Sequence, residues 1–128
     1  MRIVLLGLCL AFSVWAQDAE VVSGTLKSGA TLATSQGDVQ VVCDPNSDAV
    51  LHDGRLIGMG LELRGRLMDK GHFQLGDFHL KPLRVVKDGA KKEVTYWCAV
   101  CSIRTYTPGK CLCCQEETEL DLRDPEAK

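Results

Sequence analysis

Five of the seven cysteines lie between Cys98 and Cys114, in the run Tyr96-Trp97-Cys98-Ala99-Val100-Cys101-Ser102-Ile103-Arg104-Thr105-Tyr106-Thr107-Pro108-Gly109-Lys110-Cys111-Leu112-Cys113-Cys114. Cys98 and Cys101 form one C-x2-C pair, and Cys111 and Cys114 form a second with Cys113 inside it. Each pair fits a single tight turn whose two thiolates point the same way. Two such turns facing each other supply the four sulfurs of a tetrahedral Zn²⁺ site with Zn–S bonds of about 2.3 Å. The same sulfur set is chemically acceptable to Fe, and a soft ion such as Cu(I) also favours thiolate.

Other uses of these thiols stay open. If the chain is exported, no cytosolic reductant keeps them reduced, so disulfides compete with a metal. A redox dithiol is disfavoured because no βαβ pattern surrounds Cys98 and Cys101. With Cys98, Cys101, Cys111 and Cys114 as ligands, Cys113 and Cys43 are left over. Cys43 ends an apolar alternation, where a packed free thiol is common, although a Cys43–Cys113 disulfide is a second reading. Cys113 is also an alternative to Cys114 as the fourth ligand.

Residues 96–114 resemble a zinc ribbon with rubredoxin-type knuckles. More narrowly, they are similar to the short heavy-metal-binding domain attached to bacterial metal-efflux adaptors, whose pattern reads Y-x-C-P-M-H-P and then P-G-x-C-P-x-C-G-M. Tyr96, Cys98, Pro108, Gly109, Cys111 and Cys114 fall on that pattern. Cys101 stands in place of its His, Ala99 in place of a Pro, Gln115-Glu116 in place of Gly-Met, and the loop is one residue shorter. The resemblance implies metal binding and leaves transport open.

A mainly β frame must position these cysteines. Val22, Gly24 and Leu26 share one parity, as do Val39, Val41 and Cys43, and Leu61, Leu63, Gly65 and Leu67. Asp44-Pro45-Asn46-Ser47-Asp48 breaks the sheet, and a short helix is expected through Ala49, Val50 and Leu51, capped by Ser47 or Asp48. Phe73 and Leu75 share a parity that switches to Phe78 and Leu80, as a β-bulge at Gly76-Asp77 would cause. Lys87-Asp88-Gly89-Ala90 reads as a two-residue hairpin turn, and Leu120 and Leu122 as a last strand. About five short strands, one of them bent, together with a one-turn helix fit a small OB-like antiparallel barrel better than a sandwich. The expected organisation is an OB-like domain over residues 17–95, a zinc-ribbon segment over 96–123 and a tail over 124–128.

Residues 1–16 read as a secretory signal: Arg2, then an apolar run from Ile3 to Val14, then Ala16 before Gln17. The run is short for a span of about 30 Å, and Cys9 follows a bulky Leu8, so neither a retained anchor nor lipidation is favoured. Export to the periplasm or the medium follows as an expectation, with no transmembrane segment once the signal is cleaved.

Composition closes off other classes. With 15 Lys+Arg against 17 Asp+Glu and 45% apolar residues, the chain is neither a strongly basic nucleic-acid binder nor a disordered polymer. Residues 54–110 are net positive between acidic flanks. An anionic ligand or a protein partner is therefore conceivable, and nucleic acid is disfavoured by export. His52, His72 and His79 show no compact ligand spacing and read as surface histidines, with Asp77 and His79 a candidate polar pair. No G-x-S-x-G and no base for Ser23, Ser35 or Ser102 emerge, so no catalytic residue is named.

Overall fold

The computed structural model describes residues 20–69 and 71–125. The apolar leader, Cys9 and the cleavage point before Gln17 lie outside the described residues. Strand accounts for 53% and helix for 12%, so the mainly β expectation holds.

The first five strands are β1 (Glu20–Lys27), β2 (Thr31–Thr34), β3 (Gly37–Val42), β4 (Gly60–Asp69) and β5 (His72–Leu75). They pair in the order β1-β2-β3-β5-β4 and close through β4 against β1, giving a five-stranded barrel consistent with the OB-like expectation. All these pairings are antiparallel except β3 with β5, where Val41 lies beside Phe73. The inward residues Leu26, Leu32, Val41, Leu61, Leu63 and Phe73 are each at most 4% exposed and fill the interior.

Closure depends on two glycines. A Cβ on Gly24 would collide with the Ala33 carbonyl, and one on Gly65 with the Gln74 carbonyl, so neighbouring backbones approach there as no side chain permits. Gly65 stands between two strands, facing Glu20 of β1 on one edge and Leu75 of β5 on the other; pairing with β1 ends there and pairing with β5 begins. The bend lies here, with an irregularity between Leu67 and Asp69, rather than at Gly76-Asp77. Those two residues follow β5 and lead into a 3-10 turn, Phe78–Leu80. The same twist turns Leu67 outward to 55% exposure, against the expectation from its parity.

Helix α1 (Pro45–Leu51) follows β3 and buries Val50 and Leu51. Its N-cap is Asp44, whose Oδ1 accepts the Ser47 N–H at 2.8 Å, not Ser47 or Asp48. Pro45 explains this, because proline fits the first helical position, where no amide hydrogen is needed, and the residue before it becomes the cap. The other Asp44 oxygen accepts the Phe78 N–H at 3.0 Å, which holds the second turn against α1. His79 sits in that turn, and no hydrogen bond joins it to Asp77.

Four more strands extend the sheet from β4: β6 (Leu83–Lys87), β7 (Ala90–Cys98), β8 (Ile103–Thr105) and β9 (Glu119–Arg123). The β6–β7 turn at Asp88 (φ 52°) and Gly89 (φ 77°) takes the doubly left-handed form expected of Asp-Gly. β7 pairs β6 up to Glu93 and β8 from Tyr96 along one edge, and β9 along the other. One strand therefore runs from the barrel wall into the cysteine cluster. Across the outer face, Glu62, Arg84, Glu93 and Arg123 stand opposite one another on β4, β6, β7 and β9. Lys91 pairs with Glu62 at 2.9 Å and Lys81 with Glu93 at 3.3 Å. Much of the positive charge in the middle stretch thus faces carboxylates.

Candidate metal centre

β7 ends at Cys98, and the chain turns at once through Ala99 and Val100 to Cys101 before returning as β8. The Cys101 N–H donates to Cys98 Sγ at 3.4 Å, and Ser102 takes φ 54°. The second pair repeats this design. The backbone N–H groups of Cys114 and Cys113 favour the Cys111 thiolate, and Gln115 takes φ 61°. In both turns the residue after the second cysteine is left-handed, a conformation that favours glycine and here falls to Ser and Gln. It reverses the chain so that backbone donors face the sulfurs.

The second turn is held from outside the cluster. Gln115 N–H donates to the Cys111 carbonyl at 2.9 Å, and Cys111 N–H to the Glu116 carbonyl at 2.8 Å. Lys110 bridges to Glu117, and the Thr118 hydroxyl donates to the Gly109 carbonyl at 2.8 Å. Pro108-Gly109, with Gly109 at φ 127°, opens this small hairpin.

The outcome is that Sγ atoms of Cys98, Cys101, Cys111 and Cys114 all lie within 4.8 Å of one another, with Cys98 and Cys114 at 3.4 Å. A tetrahedron with bonds of about 2.3 Å has sulfurs about 3.8 Å apart, so the cluster can hold a metal ion. Cys98 and Cys111 are each 2% exposed, whereas Cys101 and Cys114 are half-buried.

The thiols are electrostatically unequal. The N–H groups of Cys114 and Cys113 bring Cys111 down to about 7, so it is thiolate-prone at neutral pH. Cys101 is pushed well up, first by the neighbouring Cys113 thiol and then by burial. At Cys114 the Glu116 N–H favours the thiolate, but the Cys98 thiol and burial outweigh it and raise the value. Crowded thiols that cannot all ionise together are the situation a divalent cation relieves.

Cys43 and Cys113 are free thiols in the structure. Cys43 packs against the barrel core and is pushed up to about 11 by burial, with Asp48 and Asp44 adding to it. Cys113 is exposed. No disulfide joins them.

A polar network that the sequence did not suggest ties this centre to the barrel. Asp53, whose side chain is 7% exposed, caps a 3-10 turn (Gly54–Leu56) and receives Arg55 through Nε and Nη2, each at 2.9 Å. The Tyr96 hydroxyl, two residues before Cys98, donates to Asp53 at 2.8 Å, and Arg55 Nη1 donates to the Thr118 carbonyl at 3.0 Å. Arg55 also lies 5.2 Å from the Tyr96 ring centroid. Burial alone would raise the Asp53 carboxyl, but Arg55 and Tyr96 hold it below the ordinary carboxylate value. Arg104 secures the other side by donating to Thr95 and Asp121 at 2.6 and 2.7 Å and stacking 4.9 Å from the Trp97 ring.

A separate concavity of about 140 Å³ opens where β6 and β8 diverge from β7, between Val50, Phe78, Leu83, Val94 and Tyr106. Its surface is mostly apolar, but Ser47, His79, Lys81 and Glu93 also line it, and Lys81 pairs with Glu93 at 3.3 Å while lying 5.1 Å from the Tyr106 ring centroid. His52 and His72 sit beside Asp48 and Asp69 on the surface, away from any cluster of ligands.

An OB-like barrel carrying a four-cysteine cluster on a strand extension is the class that these observations define. No protein-family model matches the chain, and no curated protein or solved structure is significantly similar to it. Among the described residues, no helix is long and apolar enough to cross a membrane.

Proposed function

We propose that this is an exported protein whose C-terminal segment is a zinc ribbon, with Cys98, Cys101, Cys111 and Cys114 as ligands of one Zn²⁺ that locks β7–β9 onto an OB-like barrel. The convergence of four sulfurs from two turns of the same design carries this reading. Zn²⁺ suits it because the ion has no geometric preference of its own and accepts an all-thiolate tetrahedron. Fe and Cu(I) are the chemical competitors. The likeness of residues 96–114 to the metal-binding domain of efflux adaptors bears on the ligand set alone. Export rests on the leader from Met1 to Ala16, and the role that goes with it is that of a periplasmic or secreted protein that binds or scaffolds a partner.

Such an ion stabilises the fold directly, since structural Zn²⁺ contributes about 10–16 kcal/mol of apparent binding energy in small domains at neutral pH. Chelation tests it. Trp97 adjoins Cys98 and is the one tryptophan left after residue 16. Removing metal is expected to change Trp97 fluorescence and near-UV dichroism together and to lower the thermal midpoint. If metal leaves while the fold and midpoint stay as they were, the staple is wrong and a metal-handling site is right.

A further inference from the structure

The concavity beside α1 brings apolar walls, a carboxylate and an aromatic ring together. Val50 of α1, Phe78 of the 3-10 turn, Leu83 of β6 and Val94 of β7 give it an apolar lining, and Lys81, Glu93 and Tyr106 line it as well. Its volume of about 140 Å³ compares with the roughly 150 Å³ of an apolar cavity that takes up benzene. A fitting occupant therefore has a body of one ring or a short chain. The polar side is already arranged around a cation. Lys81 Nζ lies 3.3 Å from Glu93 Oε1 and 5.1 Å from the Tyr106 ring centroid, so a carboxylate and a π face hold one ammonium between them. The two halves of the ion pair differ in freedom. The Glu93 side chain is 14% exposed on β7, whereas that of Lys81 is 49% exposed and leaves from the end of a turn. Lys81 can swing into water at small cost, because half-exposed pairs contribute little. Arg84 and Arg123 stand opposite Glu93 across the sheet, but its ion pair is with Lys81.

We infer that this cavity binds a small organic ammonium with an apolar body, of the arylalkylamine class, whose charged end takes the place of the Lys81 ammonium on Glu93 and Tyr106. Lys81 is then a placeholder that keeps Glu93 paired until the ligand arrives. A carboxylate ligand fits worse, since pairing it with Lys81 would bring it against Glu93, a like charge. A neutral ligand would gain apolar burial alone. Because the walls come from α1, the barrel side and the strand extension, an occupant also ties these parts together and raises the stability of the fold. The groups involved are separate from the four cysteines, so the inference stands apart from the metal reading and gives the binding role a class of ligand.

Phenethylammonium, phenylethanol and phenylpropanoate are probes of nearly equal size that differ in charge. Each is titrated into the purified protein at neutral pH and followed by NMR shifts of Val50, Leu83 and Val94. Phenethylammonium is expected to shift these residues and to bind more tightly than the other two. No binding, equal binding of all three, a preference for the carboxylate, or shifts confined to other residues overturns the inference. Lys81→Ala is expected to tighten phenethylammonium binding several-fold by removing the internal competitor, a gain that a misfolded variant cannot produce. Unchanged or weaker binding by Lys81→Ala overturns the placeholder and with it the inference. Glu93→Gln is expected to weaken binding about tenfold, as loss of a hydrogen bond between charged groups should, and full affinity in this variant counts equally against it. Acetyl-lysine amide, with its side-chain ammonium free, stands for a lysine on a partner protein. If it binds more tightly than phenethylammonium, the assignment to a free amine fails.

Discussion

The Tyr96 hydroxyl donates to the Asp53 carboxylate at 2.8 Å, joining the strand that ends in Cys98 to the turn that follows α1. Because Arg55 on that same turn holds the Thr118 carbonyl, the two cysteine turns are braced against the barrel from both sides by one carboxylate and one guanidinium. The cluster is thus positioned by polar groups outside it as well as by its own turns.

Asp53→Ala is expected to destabilise the fold by about 3 kcal/mol, since it leaves Arg55 and Tyr96 without their shared acceptor. Tyr96→Phe, which keeps the ring and the ion pair, should cost only about 1 kcal/mol. Urea unfolding of both variants checks the order, and equal losses would mean that the ion pair contributes nothing.

Acid should weaken the same brace. The folded Asp53 carboxyl is held below its unfolded value, so its contribution is complete above about pH 4 and is lost as pH falls through the lower folded value. Asp53→Asn is expected to flatten this part of the stability profile, as measured by thermal midpoints of wild type and variant between about pH 5 and pH 2.

Gly65→Ala should be among the most damaging substitutions in the barrel, because its Cβ meets the Gln74 backbone carbonyl, which cannot rotate away. A loss of about 3 kcal/mol or more is expected from overpacking. Gly54→Ala, where nothing lies within 4 Å, serves as the control and should change stability little.

Gln115→Gly relieves a left-handed strain of about 1–2 kcal/mol at some cost in unfolded-chain entropy, for a net gain of about 0.5 kcal/mol. Thermal unfolding of the metal-loaded chain checks it, and a loss of stability would show that the Gln side chain supplies something its backbone does not.

Much of this frame is legible in the residues. Alternation through Leu61 and Leu63 marks β4, Asp88-Gly89 fixes a hairpin, and the two C-x2-C pairs place four sulfurs together because a tight turn leaves their side chains little freedom. Other features depend on contacts distant in sequence. Leu67 continues an inward parity, yet it is exposed because β4 runs on past the end of its pairing with β1 at Gly65, a tertiary event that no local period encodes. Asp53 and Arg55 look like turn residues, and only the docking of Thr118 reveals their joint task. The cap at Asp44 was readable from Pro45, since proline at the first helical position assigns the cap to its predecessor. The left-handed Ser102 and Gln115 carry no such mark, because glycine, the usual signal for that conformation, is missing from both.

Native mass spectrometry of the protein, purified without added metal and paired with thiol alkylation of the denatured chain, tests the central claim most directly. The account predicts one Zn²⁺ per chain, with Cys98, Cys101, Cys111 and Cys114 all alkylated as reduced thiols after denaturation. A metal-free mass with those four cysteines joined as disulfides would contradict it.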